Sequence, residues 1–410
     1  MYKALNFPNY KNRNFILLLI AMTLCFGSFQ TVLTPSIDYI ALTIKNNNHM
    51  FYSYATIASL VATIPQASAL FTWYLINNLC YKKAINIIFC LIIILGTVAF
   101  FYHQNFFIYI IFVIISGILS VALYCNVDRQ IVILLSDKIR DFQNDSFIIA
   151  SVIAMINFKL SNLLFVHYGL SGIIIYNFLL NAVAYLCLYQ IPAIDKIILD
   201  PKHNSNLPNL RLLVKIFLKH SKLLKFWGIM LSIMFTSSGF MLLLTTKIHH
   251  EGISSVIWAS NMALMSFGVL LGSLMCKTNF MKHFNSIKVI CFSEMVYGLC
   301  LITITFIHSI SILFFIIWFC GFINPFILIN MNTLFFKYIA NNDELIAISP
   351  VVNGALMSAF YIVCLIGPII TNYLLQINFS YSLLFMISGI VEVLLAILLI
   401  NMRSLKLAFS

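Results

Sequence analysis

Long apolar runs recur from one end of this 410-residue chain to the other, and they constrain its fold more than any other feature. A transmembrane helix needs about 20 apolar residues, because it rises about 1.5 Å per residue and the hydrocarbon core is about 30 Å thick. With 62% hydrophobic and 9% charged residues, the chain also lacks the polar surface of a water-soluble domain. We therefore predict an all-α membrane protein with 12 transmembrane helices. The predicted spans lie near residues 15–41, 51–76, 84–102, 106–135, 147–168, 170–192, 226–248, 253–276, 288–308, 310–335, 347–373 and 379–401.

A polar segment separates the twelve spans into two sets of six. Residues 196–225 contain two prolines and seven of the chain's Lys and Arg residues, a composition typical of a basic linker. We therefore predict an N-terminal six-helix bundle over residues 1–195 and a C-terminal six-helix bundle over residues 226–410. Two parallel halves of this kind place a binding site near the middle of the membrane, where they meet.

The distribution of positive charge predicts the orientation of the chain. Twenty of its 24 Lys and Arg residues fall in the termini, the linker and the loops of one side, and only Lys45 and Lys247 fall on the other. Cytoplasmic loops are enriched in Lys and Arg, so both termini and the linker are predicted to be cytoplasmic. This topology accounts for the net charge of +12 without nucleic-acid binding. Two cations, Arg129 and Lys159, remain inside predicted spans.

The sequence lacks the usual signatures of an enzyme. Eight of its ten cysteines lie within apolar runs and no CxxC pair occurs, so we interpret them as small apolar residues. The segment His249-His250-Glu251 does not have the spacing of metal ligands on a helix, and no Gly-rich nucleotide-binding loop is present. We therefore expect no catalytic residues, no metal and no cofactor, and an ion gradient as the energy source.

Ionisable residues inside the predicted spans are the first candidates for a functional site, because each costs about 2.5 to 3.5 kcal/mol to insert. We interpret Asp128 as the first candidate for proton or cation coupling and Asp38 as the second. Arg129 would tune Asp128 or bind an anion. Lys159 is expected to share a helix face with Ser151 and Asn162 and would bind an anionic group of a substrate. Three alternatives stay open: an ion network around Asp128 and Arg129, neutralisation of Asp128 by Lys159, and a cap in which Asp38 pairs with Lys45.

Polar residues on one face of the first span predict a stripe that faces a cavity. They recur at steps of three and four residues, which places them on the same side of a helix. Other spans contain isolated polar residues, for which hydrogen bonding between helices is the commoner role. The predicted cavity-lining residues are Thr23, Gly27, Gln30, Thr34, Asn162, Thr236 and Asn324.

Two acidic residues in the second half have no assigned role. Glu294 lies within two turns of the predicted cytoplasmic edge of the ninth span, so we expect its carboxylate to contact water. Glu392 lies deeper, in the twelfth span.

The loop after the second span carries a motif of known type. Residues 74–83 read Tyr-Leu-Ile-Asn-Asn-Leu-Cys-Tyr-Lys-Lys, which is similar to the Gly-x-x-x-Asp-x-x-Gly-Arg-Lys/Arg loop of the major facilitator superfamily. Lys82 and Lys83 keep the basic pair, whereas Asn78 stands in place of the acid. Together with the two sets of six spans, this loop resembles that superfamily in degenerate form.

Two further segments bear on the resemblance. The stretch from Asp128 to Gly169 resembles the fourth and fifth spans of multidrug and siderophore exporters. The Gly-Pro step of the fifth span is replaced by Asn157-Phe158, whereas Gly367-Pro368 supplies such a step in the eleventh span.

The resemblance implies a fold of two six-helix bundles and a function in transport. The chain would be a monomeric secondary active transporter of the bacterial inner membrane that moves a small organic solute by alternating access. The resemblance also implies gating by Asn78, Lys82 and Lys83 and favours export of a siderophore or amphiphilic drug. The carboxylates inside the predicted spans favour protons as the coupling ion. Uptake of a metabolite or siderophore is the alternative, and a polytopic membrane enzyme is the alternative from another class. The expected partners are the lipid bilayer, the solute and protons, with no nucleic acid.

Overall fold

The fold is described from a computed structural model. The residues that the structure describes are 13–25, 27–28, 61, 63–65, 67–68, 72, 81–102, 106–134, 139–191, 218–250, 255–278, 284–340, 342 and 349–401. In chain order their helices are α1 (Arg13–Cys25), α2 (Tyr81–Phe101), α3 (Phe106–Leu134), α4 (Ile139–Gln190), α5 (Ser221–Ser238), α6 (Phe240–His250), α7 (Ser255–Lys277), α8 (Ser286–Phe306), α9 (Ile310–Ala340), α10 (Ser349–Gln376) and α11 (Tyr381–Asn401).

These helices confirm a multi-pass α-helical membrane protein. Within the described part of the chain, seven helical segments are long and apolar enough to cross a membrane, and three shorter apolar helices accompany them. Each predicted span except the second overlaps with one or two of the helices above, although the first span is described only to residue 28. The second, at residues 51–76, lies outside the described residues apart from scattered helical positions. Most of the predicted linker, residues 196–217, also lies outside them.

Helix α4 contains two of the predicted spans, and the chain reverses direction between them at Gly169. The helix is 52 residues long, about 78 Å if straight, which is far more than one membrane crossing. Gly169 has φ +62° and ψ −155°, a backbone conformation that is essentially restricted to glycine. The hydroxyl of Tyr176 lies 2.8 Å from Oδ1 of Asn157, although a straight helix would separate these residues by about 28 Å. We call residues 139–168 the first arm of α4 and residues 170–190 its second arm.

The two arms of α4 have different neighbours. Hydrogen bonding and ring stacking fix the second arm against α2: the Tyr81 hydroxyl donates to the Leu188 carbonyl at 3.0 Å, and Phe89 stacks on Tyr185 with 4.2 Å between ring centroids. The first arm packs against α7, where Phe147 contacts the small cluster of Cys276, Phe326 and Ile329. Helix α4 therefore connects the first four helices to the second half of the chain.

Helices α5 and α6 together form a single span, from Ser221 to Ile248. They meet at Gly239, whose missing side chain allows α10 to approach. A Cβ at Gly239 would overlap the Thr371 hydroxyl, and a Cβ at Gly367 would overlap the Ser238 hydroxyl. Close approach through small residues is a common way for helices to associate in lipid.

Buried apolar side chains form separate clusters in the two sets of helices. One cluster comes from α1 to α4 and includes Leu18, Ile85 and Leu123. The largest cluster comes from α5 and later helices and includes Phe226 and Phe385. Each set of helices therefore has a hydrophobic core of its own.

The backbone conformation at Gly169 generates a prediction about stability. Nothing lies within 4 Å of a Cβ built at this position, so Gly169→Ala creates no clash and only strains the backbone. We expect the variant to lose about 1 to 3 kcal/mol in thermal unfolding of the purified protein in detergent. Gly96→Ala is the matched control, because Gly96 also has open space around it but lies inside α2. An equal change in both variants would contradict the assignment of strain to Gly169.

Candidate functional site

Hydroxyl and amide side chains form a buried cluster between Ser28 of the first predicted span, α3 and the second arm of α4. The Asn177 amide donates to the Ser28 carbonyl at 2.6 Å, and the Ser116 hydroxyl donates to Asn177 Oδ1 at 3.3 Å. The Ser28 hydroxyl lies 3.2 Å from both the Ser120 hydroxyl and Asn181 Oδ1. Because these groups satisfy one another away from water, the cluster fixes the relative positions of three helices.

Asn157 joins the first predicted span to both arms of α4. Its amide nitrogen donates to the Gly27 carbonyl at 3.1 Å, and its Oδ1 accepts from the Tyr176 hydroxyl at 2.8 Å. A Cβ at Gly27 would lie 2.8 Å from the Asn157 amide nitrogen and from a methyl group of Ile153, so only glycine fits there without a shift. An amide bridge therefore occupies the position where the resembled family has a Gly-Pro step.

The Asn157 bridge generates a second prediction. Asn157→Leu keeps a similar volume but leaves the Gly27 carbonyl and the Tyr176 hydroxyl without their partner. Hydrogen bonds of this kind in membrane proteins contribute about 0.6 kcal/mol on average and up to about 1.7 kcal/mol. We therefore expect the thermal unfolding temperature to fall clearly in detergent.

Asn86→Leu is the matched control for that prediction. Asn86 also accepts a hydrogen bond from a tyrosine, Tyr185, at 3.0 Å, but this position is exposed. We expect a smaller change there, and a loss as large as that of the Asn157 variant would argue against the buried bridge.

The first span places two of the predicted cavity-lining residues in the interior of the protein. The Thr23 side chain is buried, and its hydroxyl lies 2.9 Å from the Leu19 carbonyl of its own helix. Gly27 is buried against the first arm of α4. The remaining predicted residues of this stripe, Gln30, Thr34 and Asp38, lie outside the described residues.

Lys159 lies on an exposed face of the first arm. Exposed apolar residues share this face, including Ile156 and Leu163, which lie about one helical turn before and after Lys159. Ser151, with which we expected Lys159 to share a face, is buried instead. Eight residues correspond to two turns plus about 80°, which is enough to separate the two side chains.

For some of the other predicted site residues the structure describes only the backbone, and for others it describes nothing. Asp128 and Arg129 lie within helix α3, and Asn162 lies within α4, but their side chains are outside the described part of the chain. The predicted gating residue Asn78 lies outside the described residues altogether.

The basic pair that follows Asn78 lies at the beginning of α2. Lys82 donates to the Tyr189 carbonyl at the end of the second arm, and its ammonium group lies 4.1 Å from the centroid of the Tyr189 ring. Lys83 is exposed. The pair therefore divides into one residue that fixes a helix end and one that faces outward.

An ion pair connects the two sets of helices. Nζ of Lys277, at the end of α7, lies 2.5 Å from Oδ1 of Asp145, near the beginning of α4. The Lys277 side chain is 50% exposed and the Asp145 side chain 24% exposed. Solvent-accessible ion pairs contribute little free energy, so this contact can form and break without a large barrier.

The Asp145–Lys277 pair generates a third prediction. Asp145→Lys places two cations together and should separate the ends of α4 and α7, whereas the added change Lys277→Asp should bring them back. The coupling free energy is expected to be about 0.2 to 1 kcal/mol, because both side chains are accessible. Val152 and Met275 are exposed on the two helices, and the distance between spin labels at these positions can be measured by double electron–electron resonance. Identical distance distributions in all variants would show that the pair does not hold the helices together.

Two acidic side chains are buried in the second set of helices, and one of them corrects an expectation. Glu294 was expected to contact water, but it is only 1% exposed, because it lies on the face of α8 that packs against α11. Glu392 of α11 is 0% exposed. The predicted cavity-lining residue Thr236 lies beside it, with its hydroxyl 3.3 Å from Glu392 Oε1.

The last predicted cavity-lining residue, Asn324, is half-buried on α9. It precedes Pro325, which lies inside the helix and cannot donate to the carbonyl of Gly321. Among the described residues, no group of three or more His, Cys, Asp or Glu side chains could hold a metal ion.

Several residues of these sites were not singled out from the sequence. Asp145 and Lys277 could have been identified from the sequence, because each lies near the predicted cytoplasmic end of a span. Asn177 and Asn181 could also have been identified, because residues four apart share a helix face. The two hydrogen bonds of Asn157 could not have been predicted from the sequence, because they depend on the reversal of the chain at Gly169.

The sequence matches no protein-family model and no curated protein. Solved structures do match over nearly the whole chain. The human organic anion transporter MFSD10 (TETRAN) has a TM-score of 0.70 at 12% identity and covers 96% of this chain and 100% of its own. The POT family transporter PepTSo has a TM-score of 0.68 at 11% identity, with 98% and 99% covered. The D-xylose-proton symporter has a TM-score of 0.67 at 15% identity, with 96% and 98% covered.

All three of these neighbours are described as transporters or symporters. At such low identity the likeness concerns the fold alone. The chain is therefore a helical, multi-pass membrane protein that has the fold of these transporters.

Proposed function

We propose that this protein is a secondary active transporter of the major facilitator superfamily that moves a small organic solute by alternating access. The observation that carries the proposal is the likeness to three transporters, among them an organic anion transporter and a D-xylose-proton symporter, over 96 to 98% of the chain. The two sets of helices then correspond to the two six-helix bundles, which move relative to each other around a central site.

The contact between α4 and α7 supports a moving interface. Each set of helices has its own hydrophobic core, so each can move as a unit. The Asp145–Lys277 pair connects the two sets through accessible side chains, which suits a contact that opens and closes in each cycle. With the orientation predicted from the loop charges, the pair closes the cytoplasmic side.

Protons are the proposed coupling ion, and Asp128 is the first candidate to carry them, followed by Asp38. Arg129 and Lys159 are the candidates for binding an anionic group of the solute. We favour export of a siderophore or an amphiphilic drug, with uptake of a metabolite or siderophore as the alternative. The proposed setting is the bacterial inner membrane, with both termini cytoplasmic and the chain monomeric.

The test is solute-driven proton movement in vesicles. Purified protein is reconstituted into lipid vesicles that contain a pH-sensitive dye, and a panel of siderophores, amphiphilic drugs, nucleosides, peptides and sugars is added from outside. We expect at least one class to change the internal pH in a saturable manner. The change should disappear when a protonophore is present.

Asp128→Asn tests the proposed coupling residue in the same vesicles. It removes a titratable group with almost no change in volume, so proton movement should fall at least tenfold while solute binding is retained. Asn86→Asp, an exposed position on α2, is the control for a change between the same two residue types. Proton movement that is unaffected by Asp128→Asn would exclude this residue as the carrier.

A further inference from the structure

The buried acids Glu294 and Glu392 are not explained by the transport site proposed above. They are 1% and 0% exposed, on α8 and α11. Oε1 of Glu294 and Oε2 of Glu392 are each buried, and neither has a hydrogen-bond partner among the described residues. A buried carboxylate that lacks partners is strongly unfavourable in its charged form, so a group such as a proton or cation is required to neutralise it.

Helices α8 and α11 run antiparallel, as a contact at one end demonstrates. The ammonium group of Lys247 donates to the carbonyl of Ile307, which ends α8, at 2.8 Å. The same group lies 5.7 Å from the ring centroid of Tyr381, which begins α11. The end of α8 is therefore next to the start of α11.

A close crossing of the same two helices brings the acids to one level. A Cβ at Gly298 would lie 2.7 Å from the Gly389 carbonyl, so the two backbones touch there. Glu294 precedes Gly298 by four residues and Glu392 follows Gly389 by three, which corresponds to about 6 Å and about 4.5 Å along the axes. Because the helices are antiparallel, both displacements are toward the same end, and the two carboxyl groups are close enough for their charges to interact.

The hydrogen-bonding geometry at Thr236 favours a hydrogen on Glu392. The Thr236 hydroxyl has one hydrogen and lies 2.7 Å from the Ile233 carbonyl and 3.3 Å from Glu392 Oε1. The carbonyl can only accept, so the shorter contact uses that hydrogen. A protonated Glu392 can then donate to the Thr236 oxygen, and both contacts are satisfied.

No described cation faces the two acids. The titratable groups that interact with them are Tyr297 of α8 and Cys320 of α9, which are neutral in their protonated forms. On α5, Lys225 precedes Thr236 by eleven residues, about 16 Å along the axis. On α6, Lys247 lies at the opposite end of α8, where it binds Ile307.

We infer that Glu294 and Glu392 form a proton-binding site between α8, α11 and α5, in which at least one of the two carboxyl groups is protonated at neutral pH. Two adjacent carboxylates in a site of this kind cannot both be ionised. A proton fits better than a hard metal cation, which takes about six oxygen ligands, because the described residues include no third acidic, His or Cys side chain that could hold a metal ion together with the two acids. The inference deepens the proposed function, since proton coupling requires a group that can hold a proton inside the membrane.

Infrared spectroscopy tests this inference without a solute. Purified wild-type protein in lipid vesicles should display the carbonyl stretch of a protonated carboxyl group at neutral pH. The double variant Glu294→Gln, Glu392→Gln should lose that band. Asp145→Asn, which changes an accessible and ion-paired carboxylate, should leave it intact.

A further variant covers the case in which the double variant fails to fold. Thr236→Val keeps both acids and removes only the hydroxyl beside Glu392, so the band should shift in frequency but persist. A wild-type spectrum without the band, or a band that is unchanged in both variants, would overturn the inference. A band that appears only after sodium ions are removed would overturn it in favour of sodium.

The two proposals can fail separately. Solute-driven proton movement in vesicles without the infrared band would leave the transport function in place and reject this proton site. The band without any solute-driven proton movement would retain the proton site and count against the transport function.

Discussion

The requirement that polar groups pair with one another when lipid replaces water underlies most of this structure. In the first set of helices, the carbonyls of Gly27 and Ser28 are paired with amides of α4, and Asn157 also accepts a hydrogen bond from Tyr176 on the second arm. These bonds are individually modest, yet their geometry decides which helices can be neighbours. In the second set of helices the same requirement is met differently. There, close glycine crossings set the helix positions, and two acids remain whose neutrality must come from a bound proton.

The two sets of helices consequently differ in how they can respond to a change of charge. The amide cluster around Asn177 is complete, since its donors and acceptors face each other, and it has no group that titrates near neutral pH. The pair Glu294 and Glu392 is incomplete by the same standard. The first set of helices is therefore the more rigid unit, whereas the second contains a pair of acids whose net charge depends on a bound proton.

The sequence predicts the membrane class and most spans because hydropathy acts over lengths of about 20 residues and needs no tertiary information. Burial around a helix is a different matter. The position of Glu294 along the chain gave its depth in the membrane, but its exposure depends on the direction in which α11 packs. Lys159 was placed with Ser151 by counting turns, and a rotation of about 80° separates them. Asn157 was noticed as a missing Gly-Pro step, and its bonds depend on a reversal that local patterns do not reveal. The two predicted bundles, and the roles of Asp128 and Asp38, stay predictions.

The reversal at Gly169 has a mechanical consequence. One arm of α4 lies at the junction with α7, and the other is fixed to α2 through Tyr81 and Phe89. Because the hydrogen bond between Asn157 and Tyr176 joins the two arms, a displacement of one arm also displaces the other. The two arms can therefore move as one unit, and a tilt of the first arm at its contact with α7 would also shift the second arm where it packs against α2.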